Sequence, residues 1–239
     1  ILFPFFPHQD ERDVMMNTVA PVWDGNETWM VLGGAGLFAA FPLAYSTVLS
    51  ALYMPIILMV IALIFRGVAF EFRFKANRSK HWWDKAFIGG SVLTSFLQGM
   101  ILGAYIQGIE TRNGVYVGGG LDWLSPFSIF TGISVVVLYA ALGCGWLIYK
   151  TGDDLQDRMF KLMPKLIIAL LVILAGVSIY TPLTHPQIAE RWFSQPQLTY
   201  FMPVPILVLL FTWLALRACK RRSELGPFTY MLVLVFLAY

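Results

Sequence analysis

Long apolar runs separated by short polar connections dominate the chain. Runs of spanning length lie at residues 43–65, 86–109, 126–149, 166–183 and 200–219, and a shorter run occupies residues 228–239. About 20 apolar residues are enough for an α-helix to cross the hydrocarbon core of a bilayer. The pattern therefore predicts an all-α fold, a polytopic membrane helical bundle.

A further helix is predicted over residues 14–41, with Phe41-Pro42 marking the break before the next run. Pro21 would lie in its first turns, where proline is tolerated more easily than in the middle. This gives six full spans and part of a seventh in a single integral membrane domain over residues 1–239. Because the chain starts without Met and its last run is shorter than a span, we expect this domain to be truncated at both ends.

Composition agrees with the pattern, since hydrophobic residues make up 58% of the chain and charged residues only 13%. Soluble domains carry about 25% charged residues. The two cysteines, Cys144 and Cys219, fall in apolar runs, where packing explains them better than a disulfide framework or a metal site.

Positive charge alternates from one connection to the next. Six Lys or Arg occur in residues 66–85, four in 150–165 and four in 217–222, whereas the intervening connections hold only Arg112 and Arg191. The positive-inside rule places the basic loops in the cytoplasm. By alternation the polar segment 8–13 is cytoplasmic too. Such clustering in a few loops gives no reason to expect a nucleic-acid partner.

Small residues predict close helix packing at two places. One is Gly33-Gly-Ala-Gly36 in the first predicted helix, and the other is the glycine series of the run 86–109. That series comprises Gly89, Gly90, Gly99, Gly103 and Gly108. The segment 70–75 alternates aromatic and charged residues, and is interpreted as a loop with aromatic anchors rather than an interfacial strand.

Candidate cofactor ligands are scarce within the apolar runs. All three histidines, His8, His81 and His185, lie in predicted loops. We therefore expect no metal site and no directly bound cofactor in this chain. Redox chemistry that involves it is expected to take place in a partner.

Polar side chains cluster before the charge-free stretch 30–65. On one continuous helix, the spacing would keep the following residues near one face: Asp13, Asn17, Asp24, Glu27 and Thr28. Buried carboxylates in membrane bundles are costly and commonly serve as proton relays or ion sites. Asp24 is thus a candidate proton carrier.

A structural alternative stays open. If the helix starts later, Asp24 is an exposed N-cap and Glu27 completes a capping box, since the Asp24-x-x-Glu27 spacing fits that motif. Arg66, at the end of the next run, is interpreted as a snorkelling anchor, with an interhelical pair to an acidic residue as the alternative.

Several motifs resemble one known family. Asp10-Glu-Arg-Asp-Val-Met-Met-Asn-Thr-Val-Ala-Pro-Val-Trp-Asp-Gly-Asn-Glu-Thr-Trp29 resembles the signature of subunit II of the cytochrome bd quinol oxidases. The similarity continues through residues 33–42 and 64–73, and more loosely through 119–127. The Asn-Glu-Thr-Trp wording is closer to the cyanide-insensitive branch.

The resemblance implies a subunit of a bacterial inner-membrane terminal oxidase. Such oxidases oxidise quinol and reduce oxygen to water, which generates proton-motive force. Two haems b and one haem d, together with quinol, are bound chiefly by the partner subunit I, and small accessory subunits and membrane lipid can join the complex. Subunit II of this family has eight helices in two four-helix halves, so this chain would be a fragment of one.

The resemblance also assigns residues. Asp24 matches the family aspartate that lines a proton route from the cytoplasm, and Trp23, Gly25 and Asn26 match its neighbours. Some relatives have Gln at the position of Glu27, so Glu27 and Asn17 are expected to be supporting polar groups.

Two other functions remain open. A proton-coupled secondary transporter would use Asp24, although only one proline-broken region, Phe41-Pro42, suits the paired broken helices of transporters. In a purely structural subunit, Asp24 would be an inert cap.

Overall fold

The computed structural model describes residues 1–76, 78–184 and 186–238, which are mostly helical. After a 3₁₀ turn at Phe3–Phe5, the elements in chain order are α1 (Gln9–Asn17), α2 (Trp23–Ala40), α3 (Pro42–Arg73), α4 (Lys80–Gln107), the strands β1 (Thr111–Arg112) and β2 (Val115–Tyr116), α5 (Pro126–Lys150), α6 (Asp153–Thr184), α7 (Pro186–Phe193), α8 (Gln197–Phe201), α9 (Pro203–Lys220) and α10 (Gly226–Ala238). The two strands form a short antiparallel hairpin.

Five helical segments in the described parts are long and apolar enough to cross a membrane. They are Pro42–Arg73, Lys80–Gln107, Pro126–Lys150, Asp153–Thr184 and Gln197–Lys220. The last combines α8 and α9. The predicted fold class, an all-α polytopic membrane bundle, is confirmed. The shorter run predicted at 228–239 corresponds to α10, and its final residue, Tyr239, lies outside the described residues.

The chain divides into two compact units, the first formed by Ile1 and Phe3–Val136 and the second by Leu2 and the residues from Val137 onward. In the first unit, α3 and α4 pack side by side. A buried cluster of Ala51, Leu52 and Ala104 lies between them, with Tyr116 and other half-buried side chains packed against it.

Helix α3 is kinked near its middle. Leu52 departs from helical geometry, with φ −117° and ψ 15°, three residues before Pro55. Proline lacks the N–H that would bond to the carbonyl four residues earlier, and its ring crowds that carbonyl. The kink therefore follows directly from the sequence.

In the second unit, several sulfur-containing side chains lie in the described core. Cys144 on α5 and Met159 on α6 are both fully buried, with their sulfur atoms 3.7 Å apart, and Met163 and Met231 are buried as well. Both cysteines are free and buried. The prediction that Cys144 and Cys219 are packing residues is confirmed.

The single helix predicted over 14–41 is wrong. Helix α1 ends at Asn17, residues 18–22 form turns, and α2 begins at Trp23. Pro21 is the reason, because it cannot donate the hydrogen bond that a continuous helix would require from it to the Asn17 carbonyl. Consequently the five polar residues do not share one helix face: Asp13 and Asn17 lie on α1, and the other three lie on α2.

The regions predicted as basic loops are mainly helix ends. Helix α3 continues to Arg73 and α4 starts at Lys80, so only six residues connect them within the predicted loop 66–85. Likewise most of 150–165 belongs to α5 or α6, and 217–220 belongs to α9. Segment 70–73 is helical, neither loop nor strand. The apolar runs are shorter than the helices because each helix continues into the polar residues that flank its run.

Of the two predicted places, the glycine series of α4 shows close approach and Gly33–Gly36 does not. A Cβ added at Gly90 would lie 2.6 Å from the carbonyl oxygen of Ala62 on α3, and one at Gly99 would lie 2.5 Å from that of Thr131 on α5. By contrast, no atom lies within 4 Å of a Cβ added at Gly89, nor at the three glycines of 33–36 on α2. Within the described chain, that second small-residue face is open.

These contacts predict different effects for alanine at two glycines of α4, Gly99 and Gly89. Gly99→Ala places a methyl group against backbone atoms of α5, so the two helices have to move apart. The variant is expected to destabilise the protein by about 1–3 kcal/mol. Thermal unfolding of the detergent-solubilised protein measures the change. Gly89→Ala is the control: it adds the same methyl group in open space and should leave stability unchanged or slightly raised. Equal midpoints for the two variants would contradict the packing described.

Candidate functional site

The start of α2 is held by a row of aromatic rings. Trp23 stacks on Phe70 of α3, with ring centroids 5.0 Å apart and planes inclined by 8°. Phe70 meets Phe87 of α4 edge-on, and Phe87 in turn contacts Phe3. Aromatic pairs of this kind contribute beyond their buried area. The aromatic row therefore fixes where α2 begins relative to α3 and α4.

Glu27 forms an ion pair with Arg66. The Nη2 atom of Arg66 donates to Oε1 of Glu27 at 2.8 Å, and both side chains are about one quarter exposed. The interhelical pair considered for Arg66 is thus present. The capping box is not, because α2 has Val22 at its N-cap and Glu27 is engaged elsewhere. Helix α2 begins at Trp23, later than the predicted residue 14, as the capping-box alternative required.

Asp24 occupies the first turn of α2, where the helix dipole favours a negative charge. It is exposed, and its carboxylate forms no hydrogen bond or ion pair with a side chain in the parts of the chain described. Gly25 beside it has open space around it. The side chain of Asn26 lies outside the described residues. Asn17 is exposed at the end of α1, on the far side of the turns at 18–22.

Arg73, the last residue of α3, is the centre of a buried ion network. Its side chain has 0% exposure, and its Nε donates to Oδ1 of Asp84 at 2.5 Å. Its Nη1 donates to Oδ1 of Asp13 at 2.5 Å, and its Nη2 donates to Gln9 at 3.1 Å. A single guanidinium therefore joins the ends of α1, α3 and α4.

Two more cations complete the network. Arg12 donates from Nη1 to Oδ2 of Asp84 at 2.9 Å and from Nε to the Phe6 carbonyl at 2.7 Å. Lys80 donates to Oδ2 of Asp13 at 2.8 Å. Each carboxylate oxygen of the two aspartates thus accepts a hydrogen bond from a cation. Charge-assisted bonds of this kind are about twice as strong as neutral ones.

Asp13 is held in its charged form. Desolvation raises the pKa of its carboxyl, but hydrogen bonds from Lys80 and Arg73 and their positive charges outweigh that effect, so the pKa is lowered overall. The predicted stripe grouped Asp13 with Asp24. The contacts separate them, because Asp13 belongs to the ion network and Asp24 does not.

Sequence reasoning missed most of this network: Gln9, Arg12, Arg73, Lys80 and Asp84. One signal was present, since Asp84 is the single carboxylate between the basic segment 73–80 and a long apolar run. A lone acid at such a position needs a cationic partner if it is buried. The partners lie 11 and 72 residues away, however, and no local pattern identifies them.

Metal-ligand side chains do not cluster in the described residues. In those residues, no group of three or more His, Cys, Asp or Glu side chains lies close enough together to hold a metal ion. Neither His8 nor His81 lies in the apolar part of a helix, and the position of His185 is outside the described residues.

The helices and the ion-paired helix ends define a polytopic membrane protein whose charged side chains gather at the borders of its apolar segments. A family model described as "Cytochrome bd terminal oxidase subunit II" matches residues 1–239. The chain therefore belongs to the cytochrome bd terminal oxidase subunit II family, and the resemblance found in its motifs is confirmed. Its assignment to the cyanide-insensitive branch stays a prediction.

Two named relatives support the same family assignment. The chain is 30% identical over 225 residues to "Cytochrome bd ubiquinol oxidase subunit 2" of Bacillus subtilis (strain 168), covering 92% of this chain and 64% of the relative. It is 33% identical over 155 residues to "Cytochrome bd-I ubiquinol oxidase subunit 2" of Escherichia coli (strain K12), covering 62% of this chain and 41% of the relative. The chain thus spans less than two thirds of either relative.

The network predicts a large effect for an isosteric change. Asp84→Asn leaves Arg73 buried with only the half-buried Asp13 as a counter-charge, which should cost about 3–5 kcal/mol and lower the unfolding midpoint by about 10 °C. Thermal unfolding of the detergent-solubilised protein tests this. The control is Glu71→Gln, which removes an exposed ion pair with Lys75 and should behave like wild type. An equally small effect of both variants would contradict a structural role for the network.

Proposed function

We propose that this chain is subunit II of a bacterial terminal quinol oxidase in the cytoplasmic membrane. The match of the family model to residues 1–239 is the observation that carries this proposal. In the complex, the partner subunit I binds haem b, haem d and quinol. The complex oxidises quinol and reduces oxygen to water, and this chain supports subunit I and contributes to the uptake of protons.

The proposed orientation follows from charge. Basic residues collect at the ends of α3 and α4 nearest their connection, and the positive-inside rule places these ends in the cytoplasm. The Glu27–Arg66 pair and the Trp23–Phe70 stack hold the start of α2 at the same end. Asp24 would therefore face the cytoplasm, where a proton-uptake path has to begin.

Proton balance explains why the side of uptake matters. Reduction of one O₂ to two H₂O takes four electrons and four protons, and oxidation of two quinols releases both in the same numbers. If quinol releases its protons on the periplasmic side while oxygen reduction draws protons from the cytoplasm, charge crosses the membrane without a pumping cycle. A cytoplasmic uptake path is the protein's contribution to that asymmetry.

Asp24 is the proposed carrier because its carboxylate is unpaired. An opposite charge nearby favours the ionised form of a carboxylate. A carboxylate that is paired with arginine is therefore a poor proton acceptor. Glu27 forms an ion pair with Arg66, whereas Asp24 is exposed and forms no ion pair with a described residue. Glu27 and Asn17 are supporting polar groups, and Trp23 positions the turn from which Asp24 extends.

The exposed surface of α2 supports the proposed scaffolding role. Trp29, Val31 and Phe38 are each at least 60% exposed within this chain. The open glycines of 33–36 lie on the same helix and would let another helix approach closely. We propose that subunit I packs against α2. No observation favours the transporter alternative over this family role.

Replacement of Asp24 tests the proposed proton path. In the purified full complex, Asp24→Asn removes the titratable group with little change of shape. Quinol-driven oxygen consumption and membrane-potential generation in proteoliposomes should both fall at least about tenfold, a modest value for loss of a positioned proton-transfer group. Haem spectra should stay unchanged, which shows that the complex is assembled. A stable complex without haem would contradict the oxidase assignment itself.

Two variants serve as controls for this experiment. Asp10→Asn removes an exposed carboxylate from the first turn of α1 and should leave both activities at wild-type level. Asp24→Glu keeps a titratable group and should retain most of the activity. If Asp24→Asn also retained wild-type activity, Asp24 would be an inert first-turn residue and the structural alternative would hold.

A further inference from the structure

A basic groove lies at the end of α9, in the second unit. It has a volume of about 620 Å³ and is lined by Trp213, Leu216, Arg217, Lys220 and Arg221. Three of these five side chains are cations, and all three are exposed. None of its residues takes part in the ion network of Arg73.

The positive charge of the groove is not neutralised by the described residues. Arg217 lies over the ring of Trp213, 4.9 Å from its centroid, and neither Arg217, Lys220 nor Arg221 forms an ion pair with a described carboxylate. The adjacent Arg222 differs, because its Nη1 binds Oδ1 of Asp157 at 2.5 Å. Of these four neighbouring cations, only Arg222, outside the groove, has a carboxylate partner among the described residues.

An apolar surface leads from the groove along the same helix. Ile206, Leu209 and Trp213 are 63%, 60% and 53% exposed. They occur at spacings of three and four residues, and Lys220 continues the row seven residues after Trp213, so all four lie near one face of α9. This face is apolar over two turns and cationic at its end. Tryptophan at the boundary is typical of the membrane interface.

We propose that this groove binds one anionic phospholipid. Its phosphate is held by Arg217, Lys220 and Arg221, and an acyl chain lies along Ile206 and Leu209 beneath Trp213. Arginine and lysine bind phosphate oxygens through charge-assisted hydrogen bonds. A free phosphate ion would satisfy the cations alone, whereas a phospholipid also covers the apolar row, and this favours the lipid.

Native mass spectrometry of the full complex in detergent tests the site. The delipidated complex is titrated with phosphatidylglycerol, with phosphatidylcholine and, in a separate arm, with inorganic phosphate. The variants are Arg217→Gln, Lys220→Gln and Arg221→Gln. Arg222→Gln is the matched control, since it removes the same charge from the same helix end outside the groove.

Each groove variant is expected to bind phosphatidylglycerol about fivefold more weakly than the wild-type complex. Arg222→Gln should bind like wild type, and phosphatidylcholine should bind more weakly. Equal weakening by all four variants would mean general attraction to a basic surface and would overturn the proposal. So would unchanged binding in every variant, or inorganic phosphate binding with the same dependence on the three cations.

Discussion

The placement of Arg73 between Asp13 and Asp84 is the constraint on which the first unit depends. A fully buried guanidinium is tolerated only where carboxylates and further acceptors surround it. Here the acceptors come from α1 and α4, and the arginine ends α3. To keep this cation paired, the three helix ends have to meet. The segment after α1 is then confined to a short turn, and Pro21 within it sets the start of α2 beside Phe70.

This constraint also separates the acidic side chains by role. Asp13, Asp84 and Glu27 each form an ion pair with arginine, and Asp13 also pairs with lysine, so these three acids join neighbouring helices. Asp24 follows the same turn but has no such partner among the described residues. The unpaired Asp24 is therefore the proposed proton carrier, whereas the paired acids hold the helices together.

Patterns that depend on neighbouring residues were predictable from the sequence. The membrane class and the approximate position of the long helices follow from apolar runs, and the close approaches at Gly90 and Gly99 follow from glycine spacing. Interactions between distant residues were not predictable in this way. Arg66 and Glu27 lie 39 residues apart and Arg73 and Asp13 lie 60 apart, so no periodicity joins them. The break at Pro21 was not predicted because proline is also tolerated in the first turns of a continuous helix, whereas residues 18–22 form turns.

The central claim is that the unpaired Asp24, rather than the arginine-bound Glu27, takes up protons for oxygen reduction. Its most direct test is the rate of proton uptake in a single turnover, in which the fully reduced complex reacts with oxygen in the presence of a pH-indicator dye. The account predicts that Asp24→Asn slows proton uptake strongly while Glu27→Gln leaves it near the wild-type rate. Slow uptake in Glu27→Gln with normal uptake in Asp24→Asn would contradict it.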